Sequence, residues 1–121
     1  MGKEKKELGK VGEQYAAELL KTKGYKILQT NFQTRLGEID IVAIDGETLV
    51  FVEVKTRIGR VFGLPEEAVG FRKLRSIIKV GEVFRLKNQN LPESERIDVA
   101  AIELDNSGKV LREELIKNVT G

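Results

Sequence analysis

The sequence predicts a single α/β domain built on a mixed sheet, with elements in the order α-β-β-β-α-β-β. Three observations lead there. The 121 residues suit one domain able to bury a core. Apolar residues recur at helical spacing near the N-terminus and again past the midpoint, while the segments between and after them read as strands. An Asp45-Gly46 pair between two apolar runs marks a tight hairpin. No repeat, low-complexity tract or interdomain linker is visible, so residues 8–121 read as one domain behind a flexible tail, 1–7.

The tail is polar and expected to fray. From there Leu8, Val11, Tyr15, Ala16, Leu19 and Leu20 form a helical stripe that stops at Gly24, a C-terminal cap residue. Residues 25–28 read as a short strand leading into a polar stretch at 31–35. Residues 38–44 and 49–56 are apolar on both faces, as strands of a covered sheet are. Residues 57–63 read as a loop. Pro65-Glu66-Glu67 has the proline and acids of a first helical turn, and Gly70 separates it from a longer helix over 71–86. On that helix Phe71, Leu74, Ile77, Ile78 and Phe84 are expected on one face, with Arg72, Arg75 and Lys79 on the opposite, solvated one. After a loop at 88–93, residues 97–104 and 110–116 read as two strands around Asn106-Ser107-Gly108.

Composition narrows the chemistry. The chain has neither Cys nor His, which excludes a disulfide framework, a thiol nucleophile, a zinc–thiolate centre, a Ser-His-Asp triad and any imidazole base or ligand. Carboxylates, lysines, hydroxyls and hard cations remain. No apolar run approaches the ~20 residues of a membrane span, and neither a secretory nor a myristoylation signal is present, so a cytoplasmic protein with no membrane partner is expected. The net charge of +2 hides an asymmetry: residues 55–87 carry +6 and the remainder −4. A basic centre in an otherwise acidic chain suits an anionic partner, nucleic acid first, or else a solvated surface.

Asp40 interrupts one apolar strand, and Glu53 with Lys55 interrupts the next. Burying an unpaired carboxylate is costly, so such residues have a partner or a role. If Asp45-Gly46 is the two-residue turn, paired positions sum to 91 and Asp40 is a diagonal neighbour of Glu53. A longer loop gives 93 and sets the two directly opposite. Either odd sum puts Asp40, Glu53 and Lys55 on one face. Two converging carboxylates without His or Cys suit Mg²⁺ or Mn²⁺, with Lys55 placed to stabilise charge at a phosphorus centre. The alternative is an internal salt bridge of Lys55 with both acids. Glu13, at the edge of the first helix's apolar stripe, can reach inward or stay solvated.

Together these residues resemble a known pattern. Asp40 followed by Glu53-Val54-Lys55 is similar to the D…(D/E)-x-K motif of the restriction-endonuclease-like nuclease superfamily. Gly12-Glu13, Gly37-Glu38-Ile39-Asp40, Phe51-Val52-Glu53-Val54-Lys55-Thr56-Arg57, Phe62-Gly63 and Ile97-Asp98-Val99 resemble the YraN-like bacterial family, over about residues 8–117. The resemblance implies a restriction-endonuclease-like fold akin to archaeal Holliday-junction resolvases. It also implies a divalent metal held by Asp40, Glu53 and the Val54 carbonyl, with Glu13 and Lys55 in the catalytic set. Arg57 and Arg60, in the loop after the Glu53-Val54-Lys55 strand, and Arg35, before Gly37-Glu38-Ile39-Asp40, are expected to contact phosphates, with Lys73 facing the cleft. No base-reading motif or aromatic platform is evident in the loops, which favours recognition of backbone and shape.

The expectation is therefore a Mg²⁺- or Mn²⁺-dependent endonuclease acting on branched or structured DNA. A catalytically silent nucleic-acid-binding module is the alternative, and a structural domain with internal salt bridges a third. A symmetric homodimer is an additional expectation, because cutting two strands calls for two sites.

Overall fold

The computed structural model describes residues 2–59 and 63–120, with side chains from residue 7 onward. Helix α1 (Gly2–Thr22) leads into strands β1 (Lys26–Thr34), β2 (Gly37–Asp45) and β3 (Thr48–Ile58). A 3₁₀ turn (Pro65–Ala68) precedes α2 (Phe71–Lys87), then β4 (Ser94–Leu104) and β5 (Val110–Ile116). The order is the expected one, and the arrangement is the restriction-endonuclease-like α/β fold.

The strands lie in one sheet in sequence order, β1 to β5. β1, β2 and β3 form an antiparallel meander. The α2 crossover then sets β4 parallel to β3, in unbroken register from Thr48↔Ser94 to Ile58↔Leu104. β5 returns antiparallel on β4.

Each sheet face has its own core, which explains why the central strands are apolar throughout. On the α1 side Ala16 and Leu20 pack on Ile41, Ala43, Val50, Val52 and Ile102. On the α2 side Ile77, Val80 and Phe84 pack on Val42, Leu49, Phe51 and Ile97. Gly81 makes the second contact possible, since a Cβ there would stand 2.5 Å from the Phe51 ring.

Several expected boundaries move. Residues 2–7, expected to fray, continue α1, because after Gly2 they are all Lys and Glu, good helix formers. β1 runs on through the polar stretch to Thr34, since as an edge strand it needs only one apolar face. Arg57 lies in β3 rather than in the following loop, and the strand before Asp98 starts at Ser94. The acidic turn at Pro65 closes as a single 3₁₀ turn. Phe71 and Ile78, expected inward on α2, are exposed, at 73% and 42%. The helix centres its buried face on Ile77, Gly81 and Phe84, where the missing side chain of Gly81 lets it approach the sheet most closely.

Candidate metal centre

The geometry of the site begins at the β2–β3 hairpin. Asp45 pairs with Thr48 around Gly46-Glu47, and Gly46 takes the positive φ (+61°) that the tight turn requires. The turn is thus shifted one residue from Asp45-Gly46. The pairs Ile41↔Val52 and Val42↔Phe51 follow, a register that sums to 93 and, carried one step further, would set Asp40 opposite Glu53.

Regular pairing of β2 with β3 ends at Ile41↔Val52. Ile39 joins the α2-side core, although alternation from Ile41 would send it to the α1 side, so β2 turns out of the ladder at Asp40. The Asp40 carboxylate replaces the lost strand contact: its Oδ2 accepts the Val54 N–H at 2.8 Å. A strand N–H left unpaired in this position would carry a desolvation cost.

Asp40 and Glu53 are both buried, and their carboxyl groups hydrogen-bond to one another. Two carboxylates can share such a bond only if one keeps a proton. Burial first, then the hydrogen bond and charge of Asp40, push the Glu53 carboxyl up to about 8, against the pull of Lys73 and Lys55. Lys73 of α2 is the cation in contact, its Nζ 3.4 Å from Glu53 Oε2. Lys55, half-buried two residues beyond Glu53, acts on it through its charge and, among the described residues, forms no ion pair with either acid.

Glu13 stands at the margin. Gly12 allows α1 to close on β3, since a Cβ there would lie 1.7 Å from Thr56 Oγ1. That contact brings half-buried Glu13 within electrostatic reach of Asp40. Burial raises its carboxyl most and Asp40 adds to this, a hydrogen bond from the Asn31 side chain opposes it, and Glu38 raises it further. Among the described residues no three acidic side chains stand close enough to share one ion. The acidic centre is therefore the Asp40–Glu53 pair, with the Val54 main chain beside it.

The expected phosphate contacts divide. Arg35 is exposed in the β1–β2 turn, which joins the strands at the same sheet end as Asp40. Arg57 folds back, donating from Nη1 to the Thr56 carbonyl at 3.0 Å. Lys73 faces the cleft as expected but is engaged by Glu53. Arg60 lies outside the described residues, as does Phe62.

Sequence reading missed Asn31, the partner of Glu13. Its positive φ (52°) is a conformation that Asn tolerates within a strand otherwise expected to be a polar stretch. It also missed a buried polar network away from the centre. There Asp98 accepts from Tyr25 Oη (2.9 Å), Arg96 Nε (3.0 Å) and the Asn118 N–H (2.9 Å). Arg96 continues to Asp45 at 2.6 Å and lowers its carboxyl. Only Ile97-Asp98-Val99 in the sequence hinted at this.

Known proteins resemble this sequence over most of its length. The UPF0102 protein of Alkaliphilus oremlandii is 48% identical over 102 residues, covering 82% of this chain and 86% of the relative. That of Caldicellulosiruptor saccharolyticus is 45% identical across 94% of this chain and 97% of its own length. That of Syntrophus aciditrophicus is 48% identical across 91% and 85%. The profile described as "Uncharacterised protein family UPF0102" matches residues 12–102, the span that holds Glu13, Asp40, Glu53, Lys55 and Lys73. The chain belongs to the UPF0102 family, the YraN-like family that its motifs resemble.

Proposed function

We propose that this protein binds nucleic acid and is a Mg²⁺- or Mn²⁺-dependent endonuclease that hydrolyses phosphodiesters in branched or structured DNA. One observation carries the reading. Asp40 and Glu53 form a buried carboxylate pair that nearby lysines fail to neutralise, because Glu53 still holds its proton to about 8 with Lys73 at 3.4 Å. In a salt bridge that satisfied the pair, a lysine would depress that value. A divalent cation can displace that proton and compensate both carboxylates at once, and an all-oxygen donor set suits a hard ion.

Asp40, Glu53 and the Val54 carbonyl would hold the metal. When bound, the ion supplies charge neutralisation at the phosphate and acidity to a nearby water. The chain's own groups do the rest. Asp40 is held in place by the Val54 N–H. Lys55 offers its ammonium to the charge that builds on the phosphate oxygens as the new P–O bond forms and the opposite ester bond breaks. Glu13 orients or deprotonates the attacking water, and burial, then Asp40, raise its carboxyl and so its basicity. Arg35 and Arg57 meet flanking phosphates, as Arg60 would.

The +6 segment and the presence, among the described residues, of only two close carboxylates favour a second reading, a nucleic-acid-binding module without turnover. Junction, flap and duplex substrates incubated with Mg²⁺ or Mn²⁺ decide between them. Metal-dependent cleavage lost in Asp40→Asn, which can still accept the Val54 N–H, is expected. Cleavage unchanged by that substitution would overturn the site. Binding that needs no metal, with no cleavage of any substrate, would establish the second reading. A cytoplasmic location and a symmetric homodimer belong to this proposal. Among the described residues no helix is long and apolar enough to cross a membrane.

A further inference from the structure

The outer face of α2 holds a second basic feature, separate from the carboxylate pair. Arg72, Arg75, Ser76 and Lys79 line a concavity of about 280 Å³ against Leu36 of the β1–β2 turn. These residues fall at i, i+3, i+4 and i+7, so they form one stripe roughly 10 Å long at 1.5 Å per residue.

Three arginines elsewhere in the chain are bound to acids. Arg85 pairs with Glu95, Arg96 with Asp45 and Asp98, and Arg112 with Glu66, Glu103 and Glu114. Arg72, Arg75 and Lys79 are exposed and, among the described residues, form no ion pair. Three adjacent cations without a counter-charge repel one another, and the fold gains nothing from their proximity.

The concavity is also preformed. Ser76 Oγ donates to the Leu36 carbonyl at 3.0 Å, fastening the turn to the helix. Gly37, at φ +138°, lets the turn sit that close, since a Cβ there would stand 2.6 Å from Ser76 Oγ. The Arg75 guanidinium lies 5.7 Å over the exposed Phe71 ring, which narrows its freedom before any ligand arrives.

We propose that this stripe is a phosphate-backbone track that seats two or three successive phosphates of a nucleic-acid strand, beside the cleavage centre rather than in it. The inference rests on the nucleic-acid reading above and extends it. One helix then serves both places, because α2 turns Lys73 inward to Glu53 and Arg72, Arg75 and Lys79 outward. Arg35, next to Leu36 on the fastened turn, extends the same face. A strand carries one phosphate per ~3.4 Å of duplex axis, so a 10 Å stripe matches a run of phosphates better than a single small anion. Point-charge and guanidinium contacts of this kind fix position without reading sequence.

The test uses the full chain in EDTA, so that cleavage plays no part. Anisotropy of a labelled duplex and a labelled four-way junction is followed over a series of NaCl concentrations. The variant Arg72→Gln/Arg75→Gln/Lys79→Gln is compared with Lys23→Gln/Lys26→Gln/Lys109→Gln, which removes equal charge from exposed positions elsewhere. Gln suits helices, and circular dichroism checks that both fold. The stripe variant is expected to bind at least tenfold more weakly at 100 mM salt, with a log–log salt slope shallower by about 2–3, at ~0.9 per lost phosphate contact. The control is expected to change by less than threefold. A wild-type slope in the stripe variant, or an equal loss in the control, overturns the proposal while leaving the cleavage reading untouched. Absence of any nucleic-acid binding by the wild type overturns both. Vesicles with 30% phosphatidylserine form a last arm: retention that depends on the stripe, with DNA binding that does not, overturns the proposal in favour of a lipid surface.

Discussion

Glu53→Gln keeps the size of the side chain and removes the proton that the site competes for. In the folded chain Glu53 holds that proton to about 8, whereas an ordinary glutamate releases it near 4.5. Between these values folding takes up a proton, so stability falls as pH rises through the window, and the loss is complete above about 8. At about 1.4 kcal/mol per pH unit the window sets a ceiling of about 5 kcal/mol. Water and salt at the open side of the cleft screen part of the repulsion, leaving roughly 2–3 kcal/mol. For a domain of this size that corresponds to about 8–12 °C in Tm. Thermal unfolding in EDTA between pH 4 and 9 measures it. The variant and wild type are expected to differ least near pH 4.5, with the variant pulling ahead until about pH 8. Millimolar Mg²⁺ or Mn²⁺ at pH 8 is expected to raise the melting temperature of the wild type only, because binding to the folded chain stabilises it. A difference curve that is flat from pH 5 to 8.5 would refute the assignment of the shared proton to this pair.

Two further predictions concern the frame. Asp98 is fully buried and accepts four hydrogen bonds, so Asp98→Ala removes one of the two carboxylates that hold Arg96 and the acceptor of the Tyr25 hydroxyl, and is expected to cost about 2–4 kcal/mol in chemical denaturation; a loss below about 1 kcal/mol would mean the network is dispensable. Gly12→Ala drives a methyl to 1.7 Å from Thr56 Oγ1 and is expected to cost about 1–3 kcal/mol as α1 backs away. Adding Thr56→Ala should recover part of this but not all, since the Thr56 Cβ still stands 2.8 Å away, and a double variant no more stable than Gly12→Ala alone would disprove the contact.

The carboxylate pair was legible because composition made it conspicuous. Asp40 and Glu53 stand in strands that are otherwise apolar, and the period of two leaves few registers in which they meet. Which register is realised depended on one residue of turn placement, which propensity alone does not resolve between Asp45-Gly46 and Gly46-Glu47. The α2 face was misjudged at Phe71 and Ile78 because a helical wheel weighs hydrophobicity and ignores absent side chains; Gly81 sets the line of closest approach. Lys73 was legible as facing the cleft, but its engagement by Glu53 depends on how far α2 approaches β3 in three dimensions. Asn31 reaches Glu13 across two elements, and no local spacing encodes such a contact.

The Gly46-Glu47 turn has a consequence far from where it lies. It closes the hairpin at one end of β2 and β3, while Asp40 lies five residues along, about 17 Å at strand spacing. The turn therefore acts as a remote gauge of the acidic centre. One residue inserted there would slide β3 against β2 and turn Glu53 and Lys55 toward α1, taking the site apart with every one of its residues intact. Surface loops ordinarily tolerate length changes. This exposed two-residue turn is the place where such a change would be felt most, and a tag or linker introduced into the chain belongs elsewhere.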